Sequence, residues 1–185
     1  MKTDHEFAEA LKKMMETTPL DEISVVALSK KCGVSRKTFY YHFRDVYDLL
    51  TLVFLDEKNA LNPQGIFSSV DLLTAIFNYY AKNSKFIDAT LDSMGKDLFQ
   101  ELIYNFSYQV ILNNFIKSAP ESKKLTDNQK KDIARFYSFA YSNTVTYYLS
   151  THKNKTLTGL LNAFDFIHDL TFIEAIENFR KGRSK

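Results

Sequence analysis

Residues 23–50 read ISVVALSKKCGVSRKTFYYHFRDVYDLL. They form two short amphipathic stretches separated by Gly33, the second crowded with cations and aromatic rings. Between residues 23 and 44 there is no Asp or Glu, while Lys30, Lys31, Arg36, Lys37 and Arg44 are all basic. The formal net charge of the whole chain is only +2, so this positive charge is local. Cations concentrated on a small helical hairpin suggest a surface that meets phosphate.

Ser24 and Ser35 can each cap a helix, and Gly33 can take the left-handed conformation that ends the first one. Leu28, Cys32, Val34 and Phe39 supply an apolar seam, with the small Ser29 where the helices must approach. Phe39 and Phe43 are one turn apart and face inward. Arg36 with Tyr40 and Lys37 with Tyr41 are i,i+4 neighbours on the opposite side. Such a turn, seam and outward face are the requirements of a helix-turn-helix. Arg and Lys can reach phosphate or the acceptor edge of guanine, and Thr and Tyr hydroxyls can donate to phosphate.

Outward from the hairpin, helical periodicity continues. Phe7, Leu11, Met14 and Met15 mark a first helix ending near Thr17 and Pro19. Asp45 can cap a fourth, with a stripe of Val46, Leu49, Leu50, Val53 and Phe54 that would link hairpin and core. Asn62-Pro63-Gln64-Gly65 is the best linker. Ser68 or Ser69 opens a helix carrying Leu72, Leu73, Ile76, Phe77 and Tyr80, interrupted near Asn83 and Ser84. A short helix to Leu91 follows, then a long one after Gly95 with Leu98, Leu102, Phe106 and Val110. Residues 118–127 read as a loop. Thr126 or Asp127 then caps a long helix with a stripe of Ile133, Phe136, Tyr137, Ala140, Tyr141, Thr144, Val145 and Tyr148. The last helix, to about Arg180, has two apolar stripes, so it must be covered on two sides. One cover is the core and the other a second subunit, with Tyr148, Ala163, Phe166, Leu170 and Ile173 as interface residues. No alternation suited to strands is visible. The expected fold is all-α: an N-terminal three-helix domain over residues 1–45 and a larger helical domain over 46–185.

At 185 residues with 45% hydrophobic and 25% charged content, the chain is ordinary for a globular protein and can bury roughly 70% of its unfolded surface without staples. The single Cys32 excludes an internal disulfide framework and suits a reducing compartment. No apolar run approaches the length of a membrane span or resembles a signal peptide. A cytoplasmic protein without membrane association is expected.

Enzymatic chemistry finds no support. Gly-rich phosphate loops, nucleophile elbows and paired-Cys motifs are all missing. Glu101, Asp132 and Asp165 have no visible catalytic partner. His5, His152 and His168 lie far apart in sequence and lack a ligand spacing, so no metal and no cofactor are expected.

The stretch Ile23-Ser24, Gly33-Val34 and Thr38-Phe39-Tyr40-Tyr41-His42-Phe43 resembles the TetR family of bacterial transcription regulators, whose pattern is Ile-Ser/Thr, a Gly-Val turn, then Thr-Leu/Phe-Tyr-x-His/Tyr-Phe. The likeness covers about residues 7–54; beyond them it is one of architecture. It implies a homodimer whose recognition helices enter successive major grooves of a double-stranded operator, about 34 Å apart. It also implies a small-molecule effector. Carried onto matching positions, Ser24 contacts phosphate, Ser35, Arg36, Lys37 and Thr38 lie at the groove, Tyr40 contacts the backbone, and Tyr41 and His42 approach phosphate or base. Where the family often places a phosphate-gripping Lys in the first turn of helix 4, this chain has Val46; Arg44 is the available substitute. The run from Arg36 to Asp45 also resembles the branch containing an activator of dihydroxyacetone-kinase operons, some of whose members work with a partner protein. In the family the helices after the hairpin enclose an effector cavity, for which Tyr80, Phe99, Tyr104, Tyr108 and Tyr141 are the aromatic candidates, with Asn105, Gln109 and Asn113 as polar anchors. Tyr137, Tyr141, Thr144 and Tyr148 suit either that pocket or the dimer seam. The reading is a ligand-responsive repressor, with a co-regulator or activator acting through a protein partner as the alternative.

Overall fold

In the computed structural model, which describes residues 2–58 and 60–164, helices follow one another without a strand among the described residues. They are α1 (Lys2–Met15), α2 (Val25–Lys31), α3 (Arg36–His42), α4 (Val46–Glu57), α5 (Ser69–Lys82), α6 (Ser84–Leu91), α7 (Lys96–Val110), α8 (Asp127–Thr151) and α9 (Leu157–Asn162). The chain forms two compact units: Met1–Ala60 with Tyr79–Leu102, and Leu61–Asn78 with the chain from Ile103 onward.

In the first unit, the expected caps fix the helix starts. Ser24 Oγ accepts from the Ala27 amide at 3.2 Å, Ser35 Oγ from the Thr38 amide at 3.2 Å, and Asp45 Oδ1 from the Asp48 amide at 2.8 Å. Each such cap contributes about 1 kcal/mol. The turn between α2 and α3 is a Schellman arrangement: Gly33 has φ +67°, its amide donates to Lys30 O at 3.2 Å, and Val34 N donates to Ser29 O at 3.0 Å. The core is built on Phe7, whose ring meets Phe39 edge-on at 5.2 Å and Phe43 at 5.9 Å. Leu11, Leu28, Leu49 and Leu50 are fully buried beside them. Farther along α1, Lys12 donates to the Glu57 carboxylate at the end of α4, and its Nζ lies 5.4 Å from the Phe86 ring centre. The Tyr79 hydroxyl faces the same carboxylate, and its pKa is pushed up first by burial and then by Glu57.

In the second unit, Gly65 turns the linker with φ +77°, and the Asn114 amide holds that turn by donating to Pro63 O (2.8 Å) and Ile66 O (3.0 Å). Thr126 and Gln129 close a capping box at the start of α8. The Tyr141 ring is buried 4.9 Å from Phe164. Tyr148 is also buried, and its hydroxyl accepts from Thr156 N and donates to Thr156 O, fastening the end of α8 to the start of α9.

Three local features depart from expectation. The stretch after α7 widens into a π-helical segment over Ile111–Ile116, and the loop at 118–127 contains a 3-10 turn over Pro120–Lys124. Phe136, expected on the inward stripe of α8, is instead 69% exposed. The buried stripe runs through Ile133, Ala134, Ser138, Tyr141, Ser142, Val145 and Leu149. At about 100° per residue, Phe136 lies about 140° around the helix from Tyr141 and cannot share its face. Of the last helix, the expected interface residues Phe166, Leu170 and Ile173 lie outside the described residues.

Candidate nucleic-acid interface

The α3 helix has a locked side and a presented side. Phe39 is fully buried against Phe7, and Phe43 follows it into the core. Opposite them, Arg36, Lys37, Tyr40 and Tyr41 are exposed, Tyr41 by 84%. The Arg36 guanidinium lies 5.9 Å from the Tyr40 ring centre, near enough for a weak cation–π contact that keeps the side chain along the helix. Neither Arg36 nor Lys37 is paired with an acid among the described residues. Both keep their charge available for an anion from outside.

The hydroxyl residues are partly engaged. Ser35 Oγ and Thr38 Oγ1 lie 3.0 Å apart, besides the capping bond, so Thr38 is half-buried and held at the helix start. Ser24 is exposed at the head of α2, with Oγ in its own cap. At the far end of α3, His42 turns toward α1, with Nδ1 2.7 Å from Asp4 Oδ1.

Arg44 follows α3, with 87% of its side chain exposed. Its backbone amide donates to Asp48 Oδ2 at 3.0 Å and its guanidinium to Asp48 Oδ1 at 3.3 Å. These bonds, the backbone one first, hold the Asp48 carboxyl below the usual carboxylate range. Val46 stands half-buried in the turn between them. Next to it, the Tyr47 hydroxyl donates to Asp21, which pushes the phenol up to about 12. The Cys32 thiol is pushed up by burial and by Glu6, so it stays protonated, with Sγ 3.7 Å from Glu6 O.

The expected effector residues divide between the two units. In the first, Tyr80 is buried with its hydroxyl 3.2 Å from Asp88 Oδ1, and Phe99 is buried 6.5 Å from the Phe54 ring. In the second, Tyr104 stacks on Tyr108 (6.2 Å) and meets Phe139 (4.7 Å), while Tyr141 is buried. Burial raises the Tyr141 phenol, and neighbouring Ser69 opposes that shift. The hydroxyls of Ser107, Tyr141 and Thr146 are buried without a closed hydrogen bond. An open groove of about 1130 Å³ runs along α1 in the first unit, lined by Glu6, Glu9, Lys13 and Glu16 among others, and by none of these five aromatics.

Sequence reasoning did not find Asp4, Asp21 or Asp56 as partners of His42, Tyr47 and His5. Each contact joins residues distant in sequence, and no local pattern marks such a pairing.

The sequence profile of a TetR-type family, described as a transcriptional regulator C-terminal region, matches residues 69–165. The chain belongs to the TetR family of transcriptional regulators. The match lies outside the hairpin, so it is independent of the motif at residues 23–43. Members of this family are transcription factors that bind DNA and typically act as dimers with small-molecule effectors. Among solved structures, the dihydroxyacetone kinase operon activator DhaS is similar over 92% of this chain and 97% of its own, with TM-score 0.62 and 20% identity. The TetR family repressor AlkX from Dietzia sp. strain DQ12-45-1b is similar over 91% and 94%, with TM-score 0.54 and 12% identity. At these identities the likeness is one of fold. No curated protein sequence matches the chain. Among the described residues no helix is long and apolar enough to cross a membrane.

Proposed function

We propose that this chain is a ligand-responsive homodimeric repressor that reads a near-palindromic operator through α3. The observation that carries the reading is the presented side of α3: Arg36, Lys37, Tyr40 and Tyr41 stand exposed on a helix whose other side is locked by Phe39. Cations without an acidic partner gain most from phosphate, because binding releases condensed counterions and costs no internal salt bridge. Arg44 takes the phosphate role left by Val46. A second copy of the chain covers the outward face of α8, where Phe136, Phe139 and Tyr147 are exposed. The effector is a largely apolar molecule with a few polar groups, bound in the second unit near Tyr104, Tyr108 and Tyr141. It releases DNA by binding more tightly to a state whose recognition helices are wrongly spaced, and only that difference in affinity moves the equilibrium.

The test is a gel shift and footprint over a salt series on the intergenic DNA beside the gene. A protected near-palindrome, with log K falling steeply against log salt, is the expected result. A flat plot contradicts a phosphate-dominated interface. A second reading, a co-regulator or activator acting through a protein partner, is favoured by Val46 in the first turn of α4 and by the fold likeness to an operon activator. A folded dimer that protects no DNA at low salt but copurifies with a partner supports that reading instead.

A further inference from the structure

We infer that Asp4 is a positioning residue that orients His42 toward the DNA backbone; the inference rests on the reading of α3 as the DNA-reading helix. His42 is the last residue of α3, and its ring is held on several sides. Tyr41 meets it edge-on at 5.2 Å, Phe43 lies tilted at 6.0 Å, and Asp4 Oδ1 is 2.7 Å from Nδ1. Only 14% of the His42 side chain and 21% of the Asp4 side chain are exposed, so water competes little for this contact. The position of Asp4 is itself fixed. Phe7 lies three residues further along α1, on the same face, and is wedged against Phe39 and Phe43.

The chemistry follows from the two ring nitrogens. A carboxylate can only accept, so Asp4 makes Nδ1 a donor and fixes the ring rotation. Nε2, on the other side of the ring, forms no hydrogen bond with a described residue. A phosphate oxygen also only accepts, so Nε2 bonds to it as the N–H of the doubly protonated ring, which the Asp4 carboxylate and the phosphate stabilise from opposite sides. The same arrangement, a carboxylate behind an imidazole, orients histidines in metal sites. It also accounts for a carboxylate beside a surface that is free of acids from residue 23 to residue 44. An acid there repels DNA unless its charge is engaged by a cation or donor, and His42 supplies one.

The experiment uses the full chain and a 30-base-pair duplex carrying the footprinted sequence, or a mixed-sequence duplex at low salt where no footprint is found. Asp4→Ala, Asp4→Asn, His42→Ala and the double variant Asp4→Ala with His42→Ala are compared, each checked by its melting temperature. Asp4→Ala should weaken binding by about ten- to a hundredfold, the range of a hydrogen bond to a charged group. Asp4→Asn should retain most of the affinity, since its amide oxygen still accepts from Nδ1. Asp4→Ala should add no further loss in the His42→Ala background, because the two act as one unit. Nitrogen-15 NMR of the free protein should show His42 carrying its proton on Nδ1, and Asp4→Ala should abolish that preference. Equal losses from Asp4→Ala in both backgrounds, or a wild-type ring protonated on Nε2 alone, overturn the inference while DNA binding stands. Wild-type protein that binds neither duplex overturns the reading of α3 and this inference with it.

Discussion

α3 and α8 both carry aromatic side chains on an outward face, yet their surroundings differ. On α3, Tyr40 and Tyr41 stand among Arg36, Lys37 and Arg44, and the two helix cations have no acidic partner among the described residues. On α8, two of the three cations are matched within the helix, Lys130 to Asp127 at 3.4 Å and Arg135 to Asp132 at 2.8 Å, while Phe136, Phe139 and Tyr147 stand near Ala140 and Asn143. Exposed rings beside unmatched cations suit a phosphate backbone, where tyrosine hydroxyls and positive charge act together. Exposed rings beside neutralised charge suit another apolar surface. The neighbours of an aromatic residue, more than its exposure, distinguish the two uses.

The largest effect expected on this comparison comes from setting the two sides of α3 against each other. Phe39→Ala removes a fully buried ring that touches Phe7 and Phe43, and should cost about 3–5 kcal/mol of stability. Arg36→Ala and Lys37→Ala remove exposed groups, and should change stability by no more than about 0.5 kcal/mol while weakening operator binding. Urea unfolding and gel shifts on the three variants measure both quantities. If Arg36→Ala or Lys37→Ala unfolds the protein, α3 does not have the presented face assigned to it.

The hairpin was legible because its signals are local. Ser24, Gly33, Ser35 and Asp45 each act within three or four residues, and each does in the structure what its position in the sequence suggests. The long helices were legible in outline for the same reason, through periodicity and the Thr126 cap. What the sequence hides is tertiary. Phe136 belonged to a plausible stripe, and only the neighbours that α8 finds decide which arc of it is buried. The aromatics expected around an effector share a residue type, but Tyr80 and Phe99 fall in one unit and Tyr104, Tyr108 and Tyr141 in the other. The π-helical segment after α7 has no composition that marks it. Asp4 beside His42 depends on where α1 lies, and periodicity within either segment carries no information about that.

A smaller effect separates the turns of the two units. Gly33 and Gly65 both have positive φ, and at both an added Cβ meets nothing within 4 Å. Any cost of an alanine there is therefore in the backbone, about 1–2 kcal/mol for a left-handed residue. Gly33→Ala and Gly65→Ala should lower the melting temperature by similar amounts. Only Gly33→Ala should also reduce DNA affinity at a temperature where both variants are folded, because its turn sets the angle of α3. Equal losses of affinity would mean that the α2–α3 turn has no more to do with DNA than the linker turn has.

The smallest effect sits at the edge of the same surface, where the Tyr47 hydroxyl donates to Asp21. That bond, with some burial, raises the phenol to about 12, above the value near 10 of an unfolded tyrosine. A group whose pKa rises on folding stabilises the native state fully below its unfolded pKa, and loses that contribution as pH climbs through the folded value. The window is therefore from about pH 10 to about pH 12. Tyr47→Phe removes the bond and should lower stability at pH 8 by at most about 1 kcal/mol. Lysines and the other tyrosines, including Tyr79 and Tyr141 with their raised phenols, titrate in both proteins, so the informative quantity is the difference between wild type and variant. Thermal melts at pH 8, 10 and 12 should show that difference steady at first and then shrinking toward zero. A difference that stays constant to pH 12 means the hydroxyl does not donate to Asp21, and that the start of α4 is held by its Asp45 cap and the Arg44–Asp48 pair alone.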